Sequence, residues 1–242
     1  MSYLALHGFT QRGSMWDEIA TVVRGEWATP DLPGHGGRPA CPWEKAVARV
    51  GEWLGETAPP RWLVGYSMGG RLALAAALEH AGMVDRLVLV SASPGIAGEA
   101  DRQRRRAEDE ALANRLETAG VAAFVDEWLA RPMFSGLAAR PAEWRAADRA
   151  ARVGNEASGL AAALRLLGQG AQPYLGERLA ALSMPVLLVA GADDGRYAAL
   201  AGSMGKRLAR STVAEVPGAG HAVVGERPAE LAALLAAWRA PR

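Results

Sequence analysis

Short apolar runs, dense in Val and Leu, recur along the chain between longer stretches whose apolar positions fall every three to four residues. The short runs are Tyr3 to Leu6, Trp27 to Thr29, Trp62 to Val64, Leu87 to Val90, Val186 to Ala190 and Thr212 to Glu215. Unbroken apolar runs of this kind belong to strands covered on both faces. The stretches between them, such as Trp16 to Val23, Trp43 to Glu56 and Met68 to His80, carry the helical period. Strand and helix in alternation predict an α/β fold with a parallel sheet sandwiched by helices. The first run starts almost at residue 1, so the sheet is expected to lack an N-terminal antiparallel hairpin.

The alternation stops between about Gly95 and Gln172, where the composition turns to Ala, Arg and Glu and no run reads as a strand. That stretch is expected to be a helical cap inserted between two strands. It would roof the carboxyl edge of the sheet, where open α/β folds place their ligands. The whole of 1–242 is read as one domain, with the cap as an insertion.

With 242 residues, 50% of them hydrophobic and 22% charged, the chain can bury a core without metal or disulfide. Cys41 is the single cysteine and has no internal partner, so nothing points to an oxidising compartment. No basic leader and no long apolar stretch opens the sequence, which leads to the expectation of a cytoplasmic protein outside the membrane. The formal charge is only +1, and of the 27 basic residues Lys45 and Lys206 alone are lysines, so no nucleic-acid partner is expected. A monomer is the default.

The chemistry centres on Gly65-Tyr66-Ser67-Met68-Gly69. A Gly-x-Ser-x-Gly match alone is weak, but here it follows a strand (Trp62-Leu63-Val64) and opens a helix (Gly69-Gly70-Arg71-Leu72), the context of a nucleophile elbow. This is the signature of the α/β-hydrolase fold. A serine hydroxyl needs a base, and the base needs a carboxylate to orient it; in this fold they follow the serine as acid and then His. Of the four histidines, His80 sits on the helix after the elbow, on its outer side, and His7 and His35 precede Ser67. His221, in the glycine-rich loop after the last strand, is the candidate base. Asp193 and Asp194 both follow the strand ending at Ala190, and a Gly-x-x-Asp spacing favours Asp194. The amides of Met68 and Phe9 are the expected oxyanion hole. Asp31-Leu32-Pro33-Gly34-His35-Gly36-Gly37 lacks the Lys-Ser/Thr of a phosphate loop and is read as shaping the active-site wall. Arginines are frequent in the cap, and most are expected to be solvated. Two or more turned inward would make a carboxylate clamp, and spacing does not choose which.

These motifs, together with Pro94-Gly95-Ile96, Arg105-Arg106-Ala107-Glu108-Asp109, Trp128 followed by Pro132-Met133-Phe134, Arg152 followed by Asn155, and Gln172-Pro173, resemble the 2-succinyl-6-hydroxy-2,4-cyclohexadiene-1-carboxylate synthases of menaquinone biosynthesis over nearly the whole length. The resemblance implies a triad of Ser67, Asp194 and His221, with Tyr66, Arg71, Arg105, Trp128 and Arg152 lining the substrate site. Arg149 competes with Arg152 for the last position, because the segment after Phe134 differs from the family in length. It further implies pyruvate elimination from a small polycarboxylate by proton abstraction, with neither metal nor organic cofactor. The alternative within the same fold is a carboxylesterase or C–C-bond hydrolase working by serine acyl transfer.

Overall fold

The computed structural model describes residues 1–239. Six strands form one sheet in the order β2-β1-β3-β4-β5-β6: β1 (Ser2–Leu6), β2 (Glu26–Ala28), β3 (Arg61–Tyr66), β4 (Arg86–Val90), β5 (Val186–Gly191) and β6 (Ser211–Val216). Every pairing is parallel, so the sheet is purely rather than mostly parallel among the described residues. The strand spans differ from prediction by a residue or two at their ends, most in β3, which continues past Val64 through Gly65 and Tyr66 up to the elbow.

Alternation along the strands divides the core in two. Leu4, Leu63, Leu87 and Leu188 face one side of the sheet, where α2 (Trp43–Glu56), α3 (Met68–Glu79) and α7 (Gly195–Gly205) pack. Tyr3, Trp62, Val88 and Leu187 face the other, under α1 (Asp17–Val22), α8 (Val223–Glu226) and α9 (Pro228–Arg239). The stretch read as one helix from Trp16 to Val23 is a 3-10 turn over Gly13–Trp16 that runs into α1.

The chain runs from β1 outward to β2, then crosses back to β3 beside β1 and continues in order to β6. The reversal lies between β1 and β3. At such a switch point the connections leave to opposite faces, and a crevice opens beyond the carboxyl ends of the two strands. Phe9 follows β1 and Ser67 follows β3, so topology alone puts both at its mouth.

Between β4 and β5 the described chain holds no strand. It forms α4 (Glu99–Leu129), a 3-10 segment (Pro132–Ala139), α5 (Ala142–Val153) and α6 (Ala157–Leu167). Gly120 breaks α4 with φ 78° and ψ 164°, and the part beyond the kink packs Phe124 and Trp128 against Phe9. Phe134 and Leu137 then meet Ala222 of the sheet body, with Trp128 and Trp144 packed around them. Among the described residues no helix is long and apolar enough to cross a membrane.

Candidate active site

The elbow is built by close approach. A Cβ on Gly65 would lie 2.5 Å from the Gly69 carbonyl oxygen, and one on Gly69 would lie 2.3 Å from that of Leu6. Side chains there would push strand and helix apart. Ser67 pays for that turn with φ 50° and ψ −109°, outside the regions a non-glycine residue favours. The strain is held by its amide bonding to Val90 O at 2.9 Å and by its carbonyl accepting from Arg71 N at 3.0 Å.

Ser67 Oγ donates to His221 Nε2 at 3.1 Å, and His221 Nδ1 donates to Asp194 Oδ2 at 2.9 Å. Asp194 also caps α7 by accepting from Tyr197 N at 3.2 Å. Burial pushes its carboxyl pKa up, but the His221 hydrogen bond and charge outweigh that and hold it below the ordinary Asp value. Asp193 is exposed and its amide bonds to Ala219 O, so of the two aspartates Asp194 is the one at the imidazole.

The loop carrying Phe9 is braced from behind. Gly8 N donates to Gln11 Oε1 and Thr10 N to His35 Nε2, both at 3.2 Å. His7 Nδ1 donates to Gly8 O at 2.8 Å, while its Nε2 accepts from Leu32 N at 2.8 Å. Both histidines are fully buried, and burial lowers the pKa of His7 to about 4 and that of His35 well below its ordinary value. They serve as neutral acceptors of backbone N–H groups. On the other side, Gly69 N is taken by His7 O. The amides of Phe9 and Met68 are left without an acceptor among the described residues.

The cavity over Ser67 has a volume of about 330 Å³. All ten residues expected at the site border it: Ser67, Asp194, His221, Phe9, Met68, Tyr66, Arg71, Arg105, Trp128 and Arg152. Arg152 is buried, donating to Asp148 Oδ2 at 2.8 Å and to Thr10 Oγ1 at 2.6 Å. Arg149 instead points outward to Asp126. Arg105 donates to Asp109 Oδ1 at 2.7 Å and to Gln169 Oε1 at 3.0 Å. Arg71 finds only the neutral Gln172 Oε1, at 3.2 Å, and burial lowers its pKa to about 10. Two inward cap arginines were the condition for a carboxylate clamp, and three (Arg105, Arg131 and Arg152) line this cavity, joined by Arg71 of α3 and Arg196 of α7, against Asp194 as the one carboxylate of the lining.

Two expectations are corrected. The Asp31 to Gly37 loop contributes no side chain to the cavity wall. It stands behind the wall, where Gly36 N donates to Asn155 Oδ1 at 2.9 Å and Gly34 packs on Gly159, tying the Phe9 loop to the cap. His80 is not on the outer side of its helix; it is half-buried at the C-cap of α3, against Gly51 of α2.

Sequence reasoning missed Arg131, Gln169, Tyr197 and Glu226. Tyr197 packs against His221 with ring centroids 4.5 Å apart and planes tilted by 57°, and its hydroxyl accepts from Gln169 Nε2 at 2.9 Å. Glu226 is buried and accepts from Gly220 N at 2.5 Å and from Ala222 N at 3.2 Å, the two amides flanking His221. The His221 backbone itself bonds to Met133 O of the cap and to Ser91 Oγ. A buried acceptor for a glycine-rich loop was foreseeable, since its amides need partners; which acidic residue supplies it was not. Among the described residues no group of His, Cys, Asp and Glu is arranged to hold a metal ion.

Comparison with known proteins agrees with this geometry. Residues 4–234 match the model of the alpha/beta hydrolase family. The 2-succinyl-6-hydroxy-2,4-cyclohexadiene-1-carboxylate synthase of Salmonella agona (strain SL483) is 33% identical over 234 residues, covering 94% of this chain and 89% of that protein. A Bacillus subtilis (strain 168) protein provisionally named for the same synthase is 38% identical over 166 residues, which span 69% of this chain and 61% of that protein. Among solved structures, MenH from S. aureus superposes with a TM-score of 0.92 at 29% identity, covering 98% of this chain and 92% of that one. The chain belongs to the alpha/beta hydrolase family and, within it, to the 2-succinyl-6-hydroxy-2,4-cyclohexadiene-1-carboxylate synthases.

Proposed function

We propose that this protein is a carbon–oxygen lyase that eliminates pyruvate from 2-succinyl-5-enolpyruvyl-6-hydroxy-3-cyclohexene-1-carboxylate, with Ser67, His221 and Asp194 as its proton-transfer triad. The observation that carries the reading is the cavity itself: five arginines and one carboxylate line it, and even with Asp109 and Asp148 paired to Arg105 and Arg152 the arginines outnumber the carboxylates. A neutral ester has no use for that charge, whereas the lyase substrate carries three carboxylates, on the ring, the succinyl arm and the enolpyruvyl ether.

The chemistry follows from the geometry. Bidentate-capable guanidiniums fix a polycarboxylate in one orientation over Ser67. His221 Nε2 accepts the Ser67 proton as Ser67 Oγ takes the proton from the ring carbon next to the succinyl carbonyl. The pair of electrons left behind moves into that carbonyl, and the free amides of Phe9 and Met68 face the oxygen on which the negative charge gathers. The charge then returns through the ring alkene and breaks the carbon–oxygen bond to the enolpyruvyl group. A ring diene is left, and the enolate of pyruvate leaves and is protonated. Asp194 holds the imidazole in the tautomer that presents Nε2 to the serine and stabilises it when charged. Tyr66 and Trp128 supply the apolar walls, and the protein acts on a small molecule without need of a partner chain.

The test is pyruvate release from enzymatically generated precursor, followed with lactate dehydrogenase and run beside a panel of activated esters. Pyruvate release that Ser67→Ala abolishes is the expected result. Rapid ester turnover with no pyruvate would instead establish the acyl-transfer alternative.

A further inference from the structure

Three guanidiniums, Arg71 from α3 and Arg105 and Arg131 from the cap, line the cavity with one paired carboxylate, Asp109, among them. Arg105 has Asp109, Arg71 has only the amide oxygen of Gln172, and Arg131 has no carboxylate among the described residues. Arg131 is half-buried, lines the cavity and sits over the Trp128 ring, 4.2 Å from its centroid. The chain around it is fixed. Pro132 starts the following 3-10 turn, and one residue on, Met133 O accepts from the His221 amide at 3.3 Å. Stacking on an aromatic face holds a guanidinium flat and leaves its N–H edge free for a planar anion.

We infer that Arg131 is a further carboxylate anchor of the substrate site, beside Arg71, Arg105 and Arg152, and sets a preference for tricarboxylates over dicarboxylates. The inference rests on the lyase reading for the identity of the substrate, but not for the chemistry of the subsite. Burial, and then the nearby Arg105, lower the pKa of Arg131, so the cluster resists its own charge. A bound carboxylate relieves both effects: it replaces lost water and neutralises the repulsion between the two arginines. Arg105 and Arg152 already carry protein carboxylates, Asp109 and Asp148, which orient them but reduce their net charge toward a ligand. Arg131 keeps its full charge.

Two variants separate charge from packing. Arg131→Met keeps a long apolar side chain over Trp128 and removes the charge, whereas Arg131→Lys keeps the charge and loses the fork. Calorimetric titration at low salt with propane-1,2,3-tricarboxylate and with succinate gives the readout, alongside KM and kcat for pyruvate release. We expect wild type to bind the tricarboxylate more tightly than succinate. Arg131→Met should weaken the tricarboxylate about tenfold or more, as expected for one lost charge-assisted contact, and change succinate binding little. Arg131→Lys should retain most of the affinity. KM for the precursor should rise in parallel in Arg131→Met while kcat stays within about threefold, the pattern of a lost binding contact. Wild-type tricarboxylate affinity in Arg131→Met, equal losses in both variants, or a wild type indifferent to the third carboxylate would each overturn the inference. If wild type releases no pyruvate, the lyase reading fails, and the subsite is judged on the titrations alone.

Discussion

Replacing Glu226 by Gln tests how firmly the base must be held. The two side chains have the same shape, but the carboxylate accepts from both Gly220 N and Ala222 N, and the amide can accept from only one. The other backbone N–H then faces an NH₂ donor in a buried setting, since Glu226 is 6% exposed. An unsatisfied buried amide costs roughly 1–3 kcal/mol. For a chain of this size that corresponds to a drop in Tm of about 2–4 °C per kcal/mol. The loop can recover part of the loss by moving, and His221 lies on it between the two amides. Its 3.1 Å reach to Ser67 Oγ lengthens as a result. A displacement approaching 1 Å near reacting groups lowers rates by about 10²-fold, so kcat should fall by about ten- to a hundredfold. KM should hold, because no arginine of the cavity touches Glu226 among the described residues. Steady-state kinetics of pyruvate release and a calorimetric Tm measure both effects. Unchanged kcat with a lowered Tm would show that Glu226 is a structural clamp only, and a raised KM at constant kcat would refute the reasoning outright.

Three further outcomes follow from the same geometry. Asp194→Asn should lower kcat by about 10³- to 10⁴-fold, because the imidazole loses the acceptor that fixes its tautomer; activity within tenfold of wild type would place the acid elsewhere. Gly69→Ala, whose Cβ would meet Leu6 O at 2.3 Å, should destabilise the fold and release the elbow, seen as a lower urea midpoint with loss of activity. His7 binds a proton in the unfolded chain near its ordinary value of 6.5 but only near about 4 when folded, so stability is full above about pH 6.5 and falls as pH drops toward 4. By about pH 5 the loss from this group alone is roughly 2 kcal/mol, with His35 adding in the same direction. A urea midpoint flat from pH 7 to pH 5 would contradict neutral histidines as amide acceptors.

The sheet was legible because its inner strands are buried on both faces and so read as unbroken Val and Leu runs, as in Leu87 to Val90. Ser67 was legible because a sharp strand-to-helix turn admits only glycine at 65 and 69. Arg71, Arg105 and Arg152 were legible only through the family resemblance, and Arg131 was not. Whether a cap arginine points inward depends on the path of α4, which turns at Gly120 on a single left-handed residue, and on Pro132 ending the bend. No periodicity distinguishes Arg131 from Arg140, which runs to Glu18 on the surface. Glu226 was hidden for a similar reason: an acidic residue in the first turn of a helix usually faces water, and only the fold shows this one turned back onto the His221 loop. His7 and His35 looked like rivals for the base, and only burial shows that they act as neutral acceptors behind Phe9.

The central claim is that Ser67 moves a proton and does not become acylated. It is tested most directly by a single turnover of precursor deuterated at the ring carbon beside the succinyl carbonyl, with pyruvate and intact protein mass followed together. The expected result is pyruvate formation slowed by deuterium, with the protein mass unchanged throughout. An adduct on Ser67, or pyruvate formed at the same rate from both precursors, would contradict it.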